Sequence, residues 1–288
     1  MGKIIDLQQG TEAWLNWRKT HITASMAPVI MGVSKWQTPY QLWCELTGLE
    51  PPREASDRMK RGLEIEDAAR AEFNALKGCN CVPVVMQNTN KDFEWMGASL
   101  DGWDAEKRVL VEIKHAGNED HETARSGKVP DHYLPQLHHQ MIVAKATEAF
   151  YYSYRPGDSI CVSVQIDVPH YHPLMVQLMD FKRRLDECDP PELMNKDYVQ
   201  RDDHEWQVTA FSALQAQKEI KEWEEILVAN KMKLIELAQG KSCIGGGICF
   251  SRTTRKGNVD YSAIPELQGV DLKQYRKNPI TFYRITKE

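Results

Sequence analysis

No run of apolar residues in this chain approaches the about 18 that a membrane span requires. The first 20 residues also lack the apolar stretch of a secretory signal. A membrane protein is therefore excluded, and a cytoplasmic one is expected. Cysteine is sparse: seven residues, odd in number and scattered, which reads as reduced thiols rather than a disulfide framework. Cys79-x-Cys81 is too tight for a zinc knuckle and has no complementary second pair, and nothing clusters as an iron–sulfur centre demands. Gly245-Gly246-Gly247 is not followed by Gly-Lys-Ser/Thr, so it is not a phosphate loop. Repeats and low-complexity tracts are absent. So is a strong positive charge: the formal net charge is −5, which counts against a protein that coats a polyanion.

What remains is a 288-residue chain, 42% hydrophobic, with enough apolar material for one large domain or a domain with an appendage. Its charge is unevenly spread. From Lys241 onward nine basic residues oppose four acids, a surplus of +5, which leaves −10 on the preceding 240 residues. A basic stripe on an acidic body can follow a phosphate backbone; Arg252, Arg255 and Lys256 are its densest part.

The periodicity predicts short helices at Thr11–Lys19, Thr23–Met31 and Pro39–Thr47, then a long one from Arg61 to Gly78. A strand follows at Val82–Gln87. Ala116–Pro130 is polar and aperiodic and reads as a loop, either mobile beside the site or a plain surface one. A helix around Gln136 precedes strands at Ala149–Tyr154 and Ile160–Val168, and a helix near Pro173–Leu185 ends at Pro190-Pro191. Residues 195–208 read as a linker, Phe211–Gln239 as one helix, and the remainder as a small β-unit opened by the triple glycine, with strands at Ile248–Thr254 and Thr281–Thr286.

The residues that carry chemistry lie in between. Val109 to Lys114 alternates as a strand, so Glu112 and Lys114 share a face with Leu110, about 6.6 Å apart, while Val109, Val111 and Ile113 take the other. The polar turn Asp104–Lys107 lets Asp101, in Ser99-Leu100-Asp101-Gly102, lie on the neighbouring strand beside Glu112. Two carboxylates and a lysine at one point suit a hard divalent cation and a phosphate ester; a surface salt bridge would use the same residues. On the preceding helix Glu66 falls within the apolar stripe Ile65, Ala69, Phe73, Leu76, and an inward acid needs a partner, either a metal or a neighbouring arginine. In Tyr133–Met141, Gln136 and Gln140 stack one turn apart, while His138 and His139 point about 100° apart and are poor joint ligands.

The order Gly62…Glu66, Ser99-x-Asp101-Gly102, Glu112-x-Lys114 and Gln136 resembles the PD-(D/E)XK nucleases. Within them it is similar to the YqaJ-like viral recombinases, which include the lambda-type alkaline exonucleases. Trp14-Leu15-Asn16-Trp17-Arg18 followed by Ile22-Thr23-Ala24-Ser25 agrees, and the resemblance runs from about Gln8 to Val168. It implies an α/β, restriction-endonuclease-like core, a mixed central sheet flanked by helices, over residues 1–194, with a C-terminal helix and small basic β-unit packed on it over 195–288. It also implies 5′-to-3′ digestion of one strand of double-stranded DNA to leave a 3′ single strand for phage-type recombination. The cofactor would be Mg²⁺, with Mn²⁺ as a substitute. Asp101, Glu112 and the Ile113 carbonyl would ligate the ion, Glu66 would bind it or its water, Lys114 would be the catalytic lysine, and Gln136 would orient the site. Arg18, Thr23, Ser25 and Ser99 would hold a terminal 5′-phosphate. The first of these is a bidentate fork for phosphate, and Thr23 reads as the N-cap of the helix Ala24–Met31. Arg252, Arg255 and Lys256 would touch the DNA backbone. A ring-shaped homotrimer, a single-strand annealing partner protein and a phage or prophage origin in a bacterial cytoplasm belong to the same implication. The chain departs from the pattern twice: Leu100 stands where a proline precedes the motif aspartate, and His138 stands where a second glutamine is common. The rival readings are an endonuclease directed by DNA structure or sequence, and a non-catalytic DNA-binding or assembly protein.

Overall fold

The computed structural model describes residues 2–53, 57–165, 168–255, 257, 264, 265 and 270, with the main chain alone at 57–64 and 168. The chain divides into two units, Met1–Tyr198 and Val199–Glu288. In the first, the elements run β1 (Lys3–Ile5), α1 (Glu12–Lys19), β2 (Ile22–Thr23), α2 (Ala27–Ile30), α3 (Pro39–Thr47) and α4 (Asp57–Lys77). They continue as β3 (Val82–Gln87), β4 (Met96–Asp104), β5 (Val109–Lys114), α5 (Asn118–Arg125), α6 (Leu134–Ala144), β6 (Glu148–Ser153), β7 (Ile160–Gln165) and α7 (Val168–Glu187). The second unit holds α8 (His204–Ala238) and a hairpin, β8 (Cys243–Gly245) with β9 (Ile248–Phe250).

One mixed sheet organises the first unit, in the order β1-β3-β4-β5-β6-β7 with β2 attached to β4. β5 pairs with β6, and β2 with β4, in parallel; the other pairs are antiparallel. The alternation of β5 is realised as expected. Val111 and Ile113 pack with Ala69 and Phe73 of α4 on one face, while Leu110 joins the larger core with Leu137 and Met141 of α6 and Leu174 and Leu178 of α7 on the other. The result is a helix–sheet–helix sandwich. Phe73 is fully buried against Phe150 and Tyr152, so truncating it to alanine would cost about 3–5 kcal/mol.

Four expectations are corrected. Thr23 does not cap a regular helix. Ile22–Thr23 is a short strand followed by a 3₁₀ turn, Ala24–Met26, and the four-residue α2, and the Thr23 side chain makes no capping bond. Ala116–Pro130 is not a structureless loop, because α5 lies inside it. That helix is anchored by polar contacts rather than an apolar stripe: buried His121 bonds through Nδ1 to Ser153 Oγ at 2.7 Å, and Arg125 pairs with Asp158 at 2.6 Å. Leu76 leaves the expected stripe of α4 and is 62% exposed. The 195–208 linker is shorter than expected, since α8 starts at His204 with Asp203 accepting from Trp206 N. The triple glycine forms the β8–β9 turn, with positive φ at Gly246 and Gly247. Thr281–Thr286 and Lys256 lie outside the described residues.

Candidate active site

Two irregularities in β4 create the site. Pairing with β3 runs Val84↔Leu100 and then Val82↔Trp103, so Asp101 and Gly102 together face the single residue Pro83, a β-bulge. Met96, Ala98 and Leu100 enter the main core at even spacing, and Trp103 rejoins it one residue out of phase. The bulge thereby turns Asp101 toward the face that carries Glu112. Gly102 is required here, since a Cβ would meet Val111 at 2.6 Å and Cys81 at 2.9 Å. The second irregularity is along the opposite edge of β4. β2 pairs with its start, at Met96 and Gly97, and β5 with its end, at Gly102–Asp104, which leaves a gap between.

Side chains fill that gap where a ladder would run. His139 Nε2 donates to Gly97 O at 3.0 Å, Gln140 Nε2 to Ser99 O at 3.4 Å and Arg70 Nε to Asp101 O at 2.5 Å. From the β5 side, Ile113 N donates to Asp101 Oδ2 at 2.9 Å. His139 is thus a main-chain donor; burial lowers its pKa to about 4 and keeps it neutral. Asp104 sets the turn between the strands by accepting from the N–H groups of Asn80, Glu106 and Lys107.

At the gap the strands bring Asp101, Glu112 and Lys114 together. Glu112 is 2% exposed, and its carboxylate accepts from Lys114 Nζ and Gln136 Nε2, each at 2.5 Å, and from Gln140 Nε2. Lys114 Nζ also lies 5.4 Å from the centre of the Tyr133 ring. Burial, then the charge of Glu112, hold the Asp101 carboxyl well above the usual carboxylate range, with Lys114 opposing and Glu66 adding to the shift. Burial alone would lower the Lys114 pKa, but Glu112 and Asp101 outweigh it and raise it, so Lys114 stays an ammonium. Glu66 is half-buried, and its pKa is also raised by burial, against the pull of Arg70, whose Nη2 contacts it at 2.6 Å. Of the two partners foreseen for Glu66, the arginine bonds it, and the acid pair is near enough to perturb it. Among the described residues no three His, Cys, Asp or Glu side chains converge as a metal cage. With both acids ionised, two carboxylates against one ammonium would leave net negative charge out of water, which suits a dication held by two acids and a main-chain oxygen.

The second predicted grouping is also assembled. Arg18 Nη2 donates to Ser25 Oγ at 3.2 Å, Ser25 Oγ lies 3.3 Å from Thr23 Oγ1, and the Arg18 guanidinium stands 4.6 Å over the Trp14 ring. Trp14 Nε1 in turn donates to Ser99 Oγ at 2.9 Å. Burial lowers the Arg18 pKa. Arg252 and Arg255 are exposed in the second unit.

The sequence reading stacks Gln140 with Gln136 but gives it no role, and it leaves the arginine beside Glu66, Arg70, unnamed. Gln140 carries the contact sought at position 138, where His138 instead lies beside His170, with ring centres 5.3 Å apart.

Residues 13–147 match the model of the YqaJ-like viral recombinase domain. An uncharacterized protein YqaJ of Bacillus subtilis is 24% identical over 135 residues, 46% of this chain and 42% of that protein, so the chain spans less than half of that relative's length. An alkaline exonuclease from Laribacter hongkongensis superposes with a TM-score of 0.53 at 25% identity, over 62% of this chain and 93% of that one. A second structure of the same exonuclease, in complex with dAMP, gives the same values. The fold is the PD-(D/E)XK one, with its mixed central sheet flanked by helices.

Proposed function

We propose that this chain is a divalent-metal-dependent exodeoxyribonuclease that digests one strand of duplex DNA from the 5′ end and leaves a 3′ single strand for recombination. The observation that carries the reading is the meeting of Asp101, Glu112 and Lys114 at the gap in β4, supported by the likeness to an alkaline exonuclease at 25% identity. Mg²⁺ is the proposed ion, with Mn²⁺ as a substitute, held by Asp101, Glu112 and the Ile113 carbonyl with Glu66 nearby. When bound, such an ion supplies positive charge at the scissile phosphate and acidifies a water. The protein's own groups do the rest. Lys114, kept protonated, offsets charge that develops on the phosphate rather than accepting a proton. Gln136 and Gln140 hold both oxygens of Glu112 in one orientation.

Arg18, Ser25, Thr23 and Ser99 are proposed to bind the terminal 5′-phosphate. A guanidinium fork beside two hydroxyls matches a phosphate monoester. The nuclease core is assigned to 1–194, and the C-terminal helix and basic β-unit to 195–288, where Arg252, Arg255 and Lys256 would contact the DNA backbone. A ring-shaped homotrimer, a single-strand annealing partner and a host cytoplasm complete the proposal.

The test is digestion of end-labelled duplex with and without a 5′-phosphate, in Mg²⁺ and in EDTA. Metal-dependent release from the 5′ end, faster with the phosphate, is expected. Asp101→Ala should abolish it, and Arg18→Ala should erase most of the phosphate preference. Internal cutting would favour an endonuclease, and an active Asp101→Ala would sink the site.

A further inference from the structure

Two thiols meet on the far side of Gly102. Cys79 and Cys81 flank Asn80 in the connection from α4 to β3, with their sulfurs 3.6 Å apart. The main chain there is tightly held. The Asn74 amide accepts from Cys81 N at 2.9 Å and donates to Cys81 O at 3.1 Å, and Asn80 N donates to Asp104 at 2.7 Å. The sulfurs are held only by weak contacts, Cys79 to Asn74 Oδ1 at 3.2 Å and Cys81 to Val109 O at 3.8 Å. Even in extended chain, residues two apart lie about 6.6 Å apart, within the span a disulfide bridges.

We propose that Cys79 and Cys81 form a redox-active dithiol that closes to an intrachain disulfide when a hydroperoxide reaches Cys79. Cys79 is half-buried while Cys81 is 2% exposed, so an oxidant in solvent meets Cys79 first. The Cys79 thiolate attacks the peroxide O–O bond and takes one oxygen as a sulfenic acid; hydrogen peroxide releases the other as water. The Cys81 sulfur then attacks Cys79, the S–S bond forms, and the sulfenic oxygen leaves as a second water. Two thiols lose two electrons and two protons, and one peroxide gains them. Burial pushes the Cys81 thiol up, so it meets the sulfenic acid as a thiol, and its proton leaves with the sulfenic oxygen as water. None of the groups assigned to DNA cleavage takes part, and the proposal stands or falls apart from that assignment.

Trypsin leaves both cysteines, and no other, in the peptide Gly78–Lys91. The full chain is treated with hydrogen peroxide, blocked with N-ethylmaleimide, digested and weighed. The peptide should lose two hydrogens and take no maleimide, and dithiothreitol before blocking should restore two labels. Cys81→Ser should instead leave Cys79 as sulfenic or higher acids. Two maleimide labels after peroxide, a cross-link from Cys79 to the Cys161 peptide, or the two-hydrogen loss persisting in Cys81→Ser would each overturn the proposal.

Discussion

Replacing Gln136 or Gln140 with methionine removes an amide at nearly constant length and asks what Glu112 needs. That carboxylate is almost wholly out of water and accepts from both glutamines and Lys114. A hydrogen bond to a buried charge contributes about 1.5–3 kcal/mol. Gln136→Met gives up one such bond with nothing regained, so a loss of about 2 kcal/mol is expected. Gln140 differs, because its Oε1 is buried with no hydrogen-bond partner, while its second bond, to Ser99 O, is long at 3.4 Å and contributes little. Methionine there also removes an orphan acceptor whose burial costs about 1–3 kcal/mol, so the two effects nearly cancel. At about 2–4 °C per kcal/mol for a unit of this size, Gln136→Met should melt about 4–8 °C below wild type and Gln140→Met within about 3 °C of it. Thermal unfolding in EDTA reads both. Equal losses, or a larger loss for Gln140→Met, would refute the reasoning.

Lys114→Ala should retain DNA binding and lose turnover by about 10²-fold, the scale for one electrostatic stabiliser; loss of binding at normal turnover would make it a phosphate-positioning residue. The Asp101 carboxyl has a raised pKa in the folded chain, so its contribution to stability is full below about pH 4 and is lost as pH rises through that raised value. Asp101→Asn should therefore gain on wild type in metal-free melting from pH 4 to pH 8; a constant difference contradicts this. Arg252→Ala with Arg255→Ala should weaken binding to all DNA sequences alike and flatten its salt dependence, and an unchanged slope would take the second unit off the DNA backbone.

The parts that were legible in the sequence are those with a period. α4 buries one face, β5 alternates between two packed layers, and α6 packs an apolar stripe with Gln136 on its flank, so spacing alone places Glu66, Glu112 and Gln136. α5 has no such stripe; its anchors are His121 and Arg125, whose partners Ser153 and Asp158 lie about 30 residues on, invisible to a local window. β1 and β2 are three and two residues long, too short for any alternation to register. The spacing does put Gln140 one turn beyond Gln136, but the resemblance draws attention to position 138 instead. Arg70 was within reach, at four residues from Glu66. The bulge at Asp101 leaves only a faint trace, Pro83 in an otherwise regular strand.

Gly97 begins the gap that Asp101 ends. A Cβ at Gly97 would run into the Trp17 indole, so α1, with Arg18 and Trp14, sits directly on this strand. The phosphate-shaped patch and the acid pair are thereby graduations on one ruler. From Gly97 to Asp101 is four strand rises, about 13 Å, fixed by covalent geometry rather than by how two layers happen to pack. Breathing of the helices can tilt this ruler without changing its length. A single inserted residue would change the spacing by one whole division, so tolerance here is digital, and an insertion or deletion between Gly97 and Asp101 would put the two groupings out of step.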